Sequence, residues 1–203
     1  MLSSRSESKL RLRVGINFLK NEYVKIALMK YLYHHVPKNF TGTILYPLNS
    51  MKDILPEIYT EHITKYEGRE DLPKRQIPLL DCLWNDVLHL TAVEPQDIKA
   101  NLKKAGVEMT RSLKYFKIPI EKVVGKNTVA LLYRQNNSND PYKRDYELFD
   151  PNKMEIYSTV PEATIEYYRE CVAKDERPLT HNLVSHVLYK GTIDTTGIEI
   201  VAT

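Results

Sequence analysis

The segment 83–107, LWNDVLHLTAVEPQDIKANLKKAGV, constrains the fold more than any other part of the chain. Residues 87–93 read as a strand. Pro95 then sits in the first turn of a helix, with Gln96 and Asp97 behind it, and Ile98, Leu102 and Ala105 form one apolar stripe. Gly106 stops the helix. Strand, turn and helix follow one another with no slack, and His89 falls at the end of the strand, where folds commonly place working residues. The only tryptophan of the chain, Trp84, stands just before it.

The same punctuation runs through the rest of the sequence. Residues 9–16 alternate Lys9, Arg11 and Arg13 with Leu10, Leu12 and Val14, which predicts a strand with one basic, solvated face. Residues 22–36 read as a helix that is apolar nearly all round, closed by Pro37, with His34 and His35 as cationic caps at its end. A short strand is expected at 41–46. Ser50 and Asp53 form a capping box for a helix running to Tyr66, interrupted at Pro56 and closed by Gly68. Strands follow at 113–118 and 127–134, the second (NTVALLYR) a continuous buried run. Thr159 and Glu162 make a second capping box, for a helix to Ala173 that buries Ile165, Tyr168 and Val172. Strands at 185–190 and 198–202, joined through GTIDTTG, suggest a hairpin.

Interleaved strands and helices of this kind predict an α+β fold, a mixed β-sheet with about four to five helices between its strands. Residues 1–8 are polar and serine-rich and are expected to be disordered. Residues 9–203 are expected to form a single α+β domain, with the charged loop 69–78 as the place for any subdomain boundary. A chain of 203 residues buries roughly 70% of its unfolded surface, so it needs no staples. With 14 tyrosines against 4 phenylalanines, many half-buried tyrosines with hydroxyls at the surface are expected.

A net charge of +3 is too mild to imply nucleic acid as a partner. No apolar leader and no 18-residue apolar run is present, which predicts a cytoplasmic protein without a membrane span. The two cysteines, Cys82 and Cys171, are then expected to be reduced. Cys171 reads as core packing, and Cys82 lacks the helix N-terminus that would activate a thiol.

Several constellations bear on chemistry. A strand ending in His89-Leu90-Thr91, followed by a helix, resembles the opening of several ADP-ribosyltransferase families. Ser158-Thr159 and Glu199 on a late strand extend the resemblance, although the late segment, Gly197-Ile198-Glu199-Ile200, has no second glutamate. The resemblance implies NAD as cofactor: His89 holding its ribose, Thr91 supporting His89, and Glu199 stabilising the oxocarbenium-like transition state. The triplets His62-Ile63-Thr64 and His89-Leu90-Thr91 resemble the paired His-x-Thr motifs of two-histidine phosphoesterases, in which both histidines face one groove. Here the first triplet is predicted on a helix. His181 and His186 are five residues apart, and no Cys-x-x-Cys occurs, so no metal site is predicted.

The run Trp84-Asn85-Asp86, with Tyr133 and Arg134 further along, suggests an aromatic pocket or partner surface, since Trp, Tyr and Arg are the residue types that dominate interfaces. The polar loops 69–78 and 135–145 are the natural places for specificity. No catalytic motif is complete. The leading expectation is a protein that acts by binding a protein partner or a small ligand, with no cofactor. The alternative is an NAD-using transferase built on His89, Thr91 and Glu199.

Overall fold

Strands that are apolar on both sides need cover on both sides, and one run in this chain meets that condition at every position. In the computed structural model Thr128–Leu132 is buried throughout. The structure describes residues 30–109, 111–133 and 145–203. The expectations for residues 1–8, 9–16 and 22–29, for Arg134 and for most of the loop 135–145 lie outside the described residues.

In chain order the elements are β1 (Tyr31–His35), β2 (Ile44–Leu45), α1 (Leu48–Ile54), α2 (Pro56–Ile63), β3 (Gln76–Ile77), β4 (Cys82–Leu83), β5 (Leu88–Leu90), α3 (Pro95–Lys104), β6 (Lys114–Pro119), β7 (Thr128–Leu132), β8 (Asp145–Leu148), α4 (Met154–Tyr157), α5 (Glu162–Ala173), β9 (His186–Tyr189), β10 (Ile193–Asp194) and β11 (Glu199–Ala202). They make an α+β arrangement, and Tyr31–Thr203 form one compact unit. The larger sheets are a four-stranded one, ordered β5-β9-β7-β8, and a three-stranded one, ordered β1-β6-β11. Every strand pairing among the described residues is antiparallel, which corrects the expectation of a mixed sheet. A backbone bridge between Tyr33 and Thr91 ties the two sheets together.

Period-two alternation sends the side chains of β7 and its neighbours into two different cores. Ala130 and Leu132, with Leu88, Leu90 and Val187, join a cluster that includes Leu32, Phe116 and Ile118 from the three-stranded sheet. Val129, Leu131 and Leu188 join the other, with Trp84, Tyr66, Ile77 and Met51. The four-stranded sheet is thus covered on one face by the other sheet and on the opposite face by α1, the β3–β4 turn and Trp84. A third cluster packs α3 against α5 through Ile98, Leu102, Ile165 and Tyr168. Gly106 ends α3 at φ +89°, and Val107 N–H returns to the Leu102 carbonyl, closing the last turn.

Several local readings are corrected. The end of the expected helix 22–36 is the strand β1. Tyr31, Tyr33 and His34 suit a pleated surface, and β6 supplies backbone partners along all of it. Ser50 lies inside α1 rather than at its cap, because the helix begins directly after Pro47. α5 likewise begins after Pro161, and the hydroxyls of Ser158 and Thr159 donate to the Glu155 carbonyl at the end of α4. β9 and β11 are not a hairpin: β9 pairs with β5 and β7, whereas β11 pairs with β6. Tyr115, Tyr157 and Tyr168 are fully buried rather than half-buried. Tyr157 donates to Glu147 at 2.7 Å and Tyr168 to the Thr180 carbonyl, whereas the Tyr115 hydroxyl has no hydrogen-bond partner among the described residues.

Leu188 is fully buried on β9, between β5 and β7. Leu188→Ala is expected to lower stability by about 3 kcal/mol, from lost burial and the cavity left behind. Urea unfolding followed by circular dichroism measures it; a loss below about 1 kcal/mol would contradict the two-core arrangement.

Candidate functional site

Where the cover of the four-stranded sheet ends, a cleft opens beside Trp84. Its volume is about 920 Å³. One wall is the loop after Gly68, carrying Arg69, Asp71, Lys74 and Arg75. The floor is the end of β7 with Tyr133, and the far wall is the segment 179–184 with His181, followed by His186. The loop 69–78, expected to carry specificity, therefore forms one side of the cleft. The loop is held by β3–β4 pairing and by Trp84 N–H donating to the Arg75 carbonyl at 2.8 Å. The Arg75 guanidinium carbon stands 5.7 Å from the centre of the Trp84 ring.

A smaller recess of about 300 Å³ lies on the other side of Trp84 and shares Arg69 and His186 with the cleft. Its polar lining is His34, His62, Lys65, Arg69, Asn85, His89 and His186, with Tyr46 and Tyr66. No carboxylate among the described residues lines it. The two histidines of the His-x-Thr triplets thus face one recess, although His62 is on α2 and not on a strand. Their threonines point elsewhere: Thr64 donates to the Glu61 carbonyl, and Thr91 accepts from Val93 N–H.

Polarity in the recess starts from Tyr66. Its hydroxyl donates to Asn85 Oδ1 at 2.6 Å. This leaves Nδ2 as the remaining group of the Asn85 amide. Asn85 is 2% exposed, and its Nδ2 has no hydrogen-bond partner among the described residues. His89 Nε2 lies 2.8 Å from the Trp84 carbonyl, and its ring packs on the indole with centres 4.3 Å apart. A carbonyl only accepts, so Nε2 carries the proton. His34 Nδ1 is held in the same way by the His35 carbonyl at 2.7 Å.

The remaining expected site residues are placed apart. Glu199 is on β11, exposed, and pairs with Lys117 at 3.0 Å. It lines neither cavity, so His89 and Glu199 do not share a cleft, as the transferase geometry would require. Thr91 is buried, with its backbone bonded to Tyr33. Asp86 spends both oxygens on structure, accepting from Leu83 N–H and from Asn49 Nδ2, each at 2.7 Å. Tyr133 and Trp84 do line the cleft. Cys82 and Cys171 are buried free thiols, and burial raises the Cys82 pKa, which keeps it protonated. Among the described residues no group of three or more His, Cys, Asp or Glu side chains is placed to hold a metal ion. His34, Lys65 and Arg75 were not legible as site residues from the sequence, whereas Asn85 stood in the candidate turn Trp84-Asn85-Asp86. Only the charge of the loop 69–78 signalled one of the walls.

Comparison with family models, characterised proteins and solved structures gave no match for this chain. The site stands on its own geometry.

Burial lowers the pKa of His34 to about 3 and that of His181 to about 4. Both are neutral in the folded protein at neutral pH. Folding then disfavours proton uptake that the unfolded chain accepts below ~6.5, so stability is full above that pH and falls as pH drops toward the lowered values. The urea midpoint is expected to decline from pH 7 to pH 4. His34→Gln combined with His181→Gln is expected to flatten that decline; an unchanged slope would contradict the assignment.

Proposed function

We propose that the protein binds a small organic anion with a planar or aromatic body, held in the cleft beside Trp84. The observation that carries this reading is the composition of the cleft wall. Arg69, Lys74 and Arg75 line it, against one carboxylate among the described residues, Asp71, which is fully exposed and stands 3.9 Å from Lys74. Cations beside a partly water-excluded apolar floor attract an anion more strongly than they would on open surface. Trp84, Tyr133 and Leu131 supply that floor, and the Arg75–Trp84 stack supplies a planar face. The volume is that of a pocket for one small molecule.

This reading favours the small ligand over the protein partner among the binding functions. The large apolar side chains exposed among the described residues, such as Ile54, Val124, Leu148, Val172 and Ile200, are spread over separate elements from α1 to β11. They do not single out one face for a docking partner. Among the described residues no helix is long and apolar enough to cross a membrane.

The test is a thermal-shift and calorimetric series with aryl carboxylates, aryl phosphates, nucleoside monophosphates, NAD, ADP-ribose and their neutral counterparts. Anionic members are expected to raise the midpoint in a concentration-dependent way, and neutral ones are not. Lys74→Glu, at an exposed position, is expected to weaken binding about tenfold or more. Equal response to charged and neutral members, or no effect of Lys74→Glu, would sink the reading. A response confined to NAD and ADP-ribose and abolished by Glu199→Ala would instead return the transferase alternative.

A further inference from the structure

The smaller recess has the features of a site for a tetrahedral anion, independent of what fills the larger cleft. Its donors come from different directions: His62 and Lys65 from α2 and the turn after it, Asn85 from the turn before β5 and His186 from β9. The ring protons of His34 and His89, which also line it, are spent on the His35 and Trp84 carbonyls. A planar carboxylate is met well by one fork of donors; donors arranged around a small volume fit a tetrahedral oxyanion better. No acidic side chain among the described residues lines the recess. Asp86, next in sequence to Asn85, is turned onto Leu83 and Asn49, and Glu61 is turned onto Lys38 and Asn39.

Two further observations point to an absent anion. Asn85 Nδ2 is a buried donor with no acceptor among the described residues, and the other end of the amide accepts from Tyr66. A buried unsatisfied donor costs about 1–3 kcal/mol, which an incoming acceptor would remove. Lys65 is the second. It reaches the recess from an exposed position, and desolvation there and the neighbouring Arg69 both lower its pKa, so two cations border the recess together.

We propose that this recess binds phosphate, with Asn85 Nδ2 and Lys65 as donors, either as the free ion or as the phosphomonoester end of the organic anion in the cleft. Trp84, Arg69 and His186 line both cavities, so one ligand can reach across. The phosphomonoester form rests on the reading of the larger cleft; the phosphate site itself does not.

The experiment is calorimetric titration of the full chain at constant ionic strength with inorganic phosphate and, separately, with phenyl phosphate. Wild type is expected to bind inorganic phosphate at one site. Asn85→Asp keeps the acceptor for Tyr66 while replacing the donor by a negative charge, and is expected to weaken binding about tenfold or more. Lys65→Glu, at an exposed position, is expected to do the same and guards against misfolding of the buried variant. Lys74→Glu is expected to leave inorganic phosphate unchanged and to weaken phenyl phosphate alone. No saturable phosphate binding by wild type, or affinity unchanged in Lys65→Glu, overturns the site. Phosphate binding with no gain from the phenyl group keeps the site, assigns it the free ion and removes the reading of the larger cleft.

Discussion

The two-sided burial of β7 and β9 is the constraint on which the rest of the molecule depends. A strand with one wet face is held in register by solvent, because a one-residue slip exposes its apolar set. β7 has no wet face. Its register rests on volume instead, with Ala130 and Leu132 meeting one core and Val129 and Leu131 the other. Each core then has to be closed from outside. The three-stranded sheet closes the first through Leu32, Phe116 and Ile118. The second is closed by short pieces, α1, the β3–β4 turn and Trp84, and where those pieces stop, the sheet borders the cleft.

Trp84 links packing to polarity. Its ring is core for the second cluster, packs at a tilt against His89, lies beside the Arg75 guanidinium, and separates the two cavities. Its carbonyl accepts from His89 Nε2 and so fixes the tautomer of that ring. A residue placed for packing therefore also sets part of the hydrogen-bonding character of a recess that its apolar atoms border. Asp86, two positions on, serves the same turn by bonding Leu83 and Asn49, and the turn needs it there more than any ligand does.

The parts of the fold with strong local signals were readable in the chain. α3 has a proline at its start, an apolar stripe and Gly106 at its end, all decided within one segment. β7 is a continuous apolar run. The 31–35 stretch was misread because its aromatic and histidine residues fit an all-apolar helix and a strand equally well, and pairing with β6, more than eighty positions away, decided it. The capping boxes failed where a proline two or three residues away, Pro161 or Pro47, set the actual helix start. The site was less legible than the fold. Trp84 with Asn85 beside it, His89 and the loop 69–78 stood out by residue type, position or charge, whereas His34 and Lys65 are ordinary in sequence and become notable only when β1 and the turn after α2 bring them to one recess. Glu199 shows the converse: a suggestive motif whose partner across the sheet is Lys117.

The wall between the cavities has an optical consequence. The chain carries a single tryptophan, and it is that wall. Its emission spectrum therefore comes from one indole whose neighbours are an imidazole, a guanidinium and a phenol. All three belong to residues lining one cavity or both. An occupant of either cavity alters the field around that indole, so the protein carries an intrinsic fluorophore at its own site and needs no label to follow what enters.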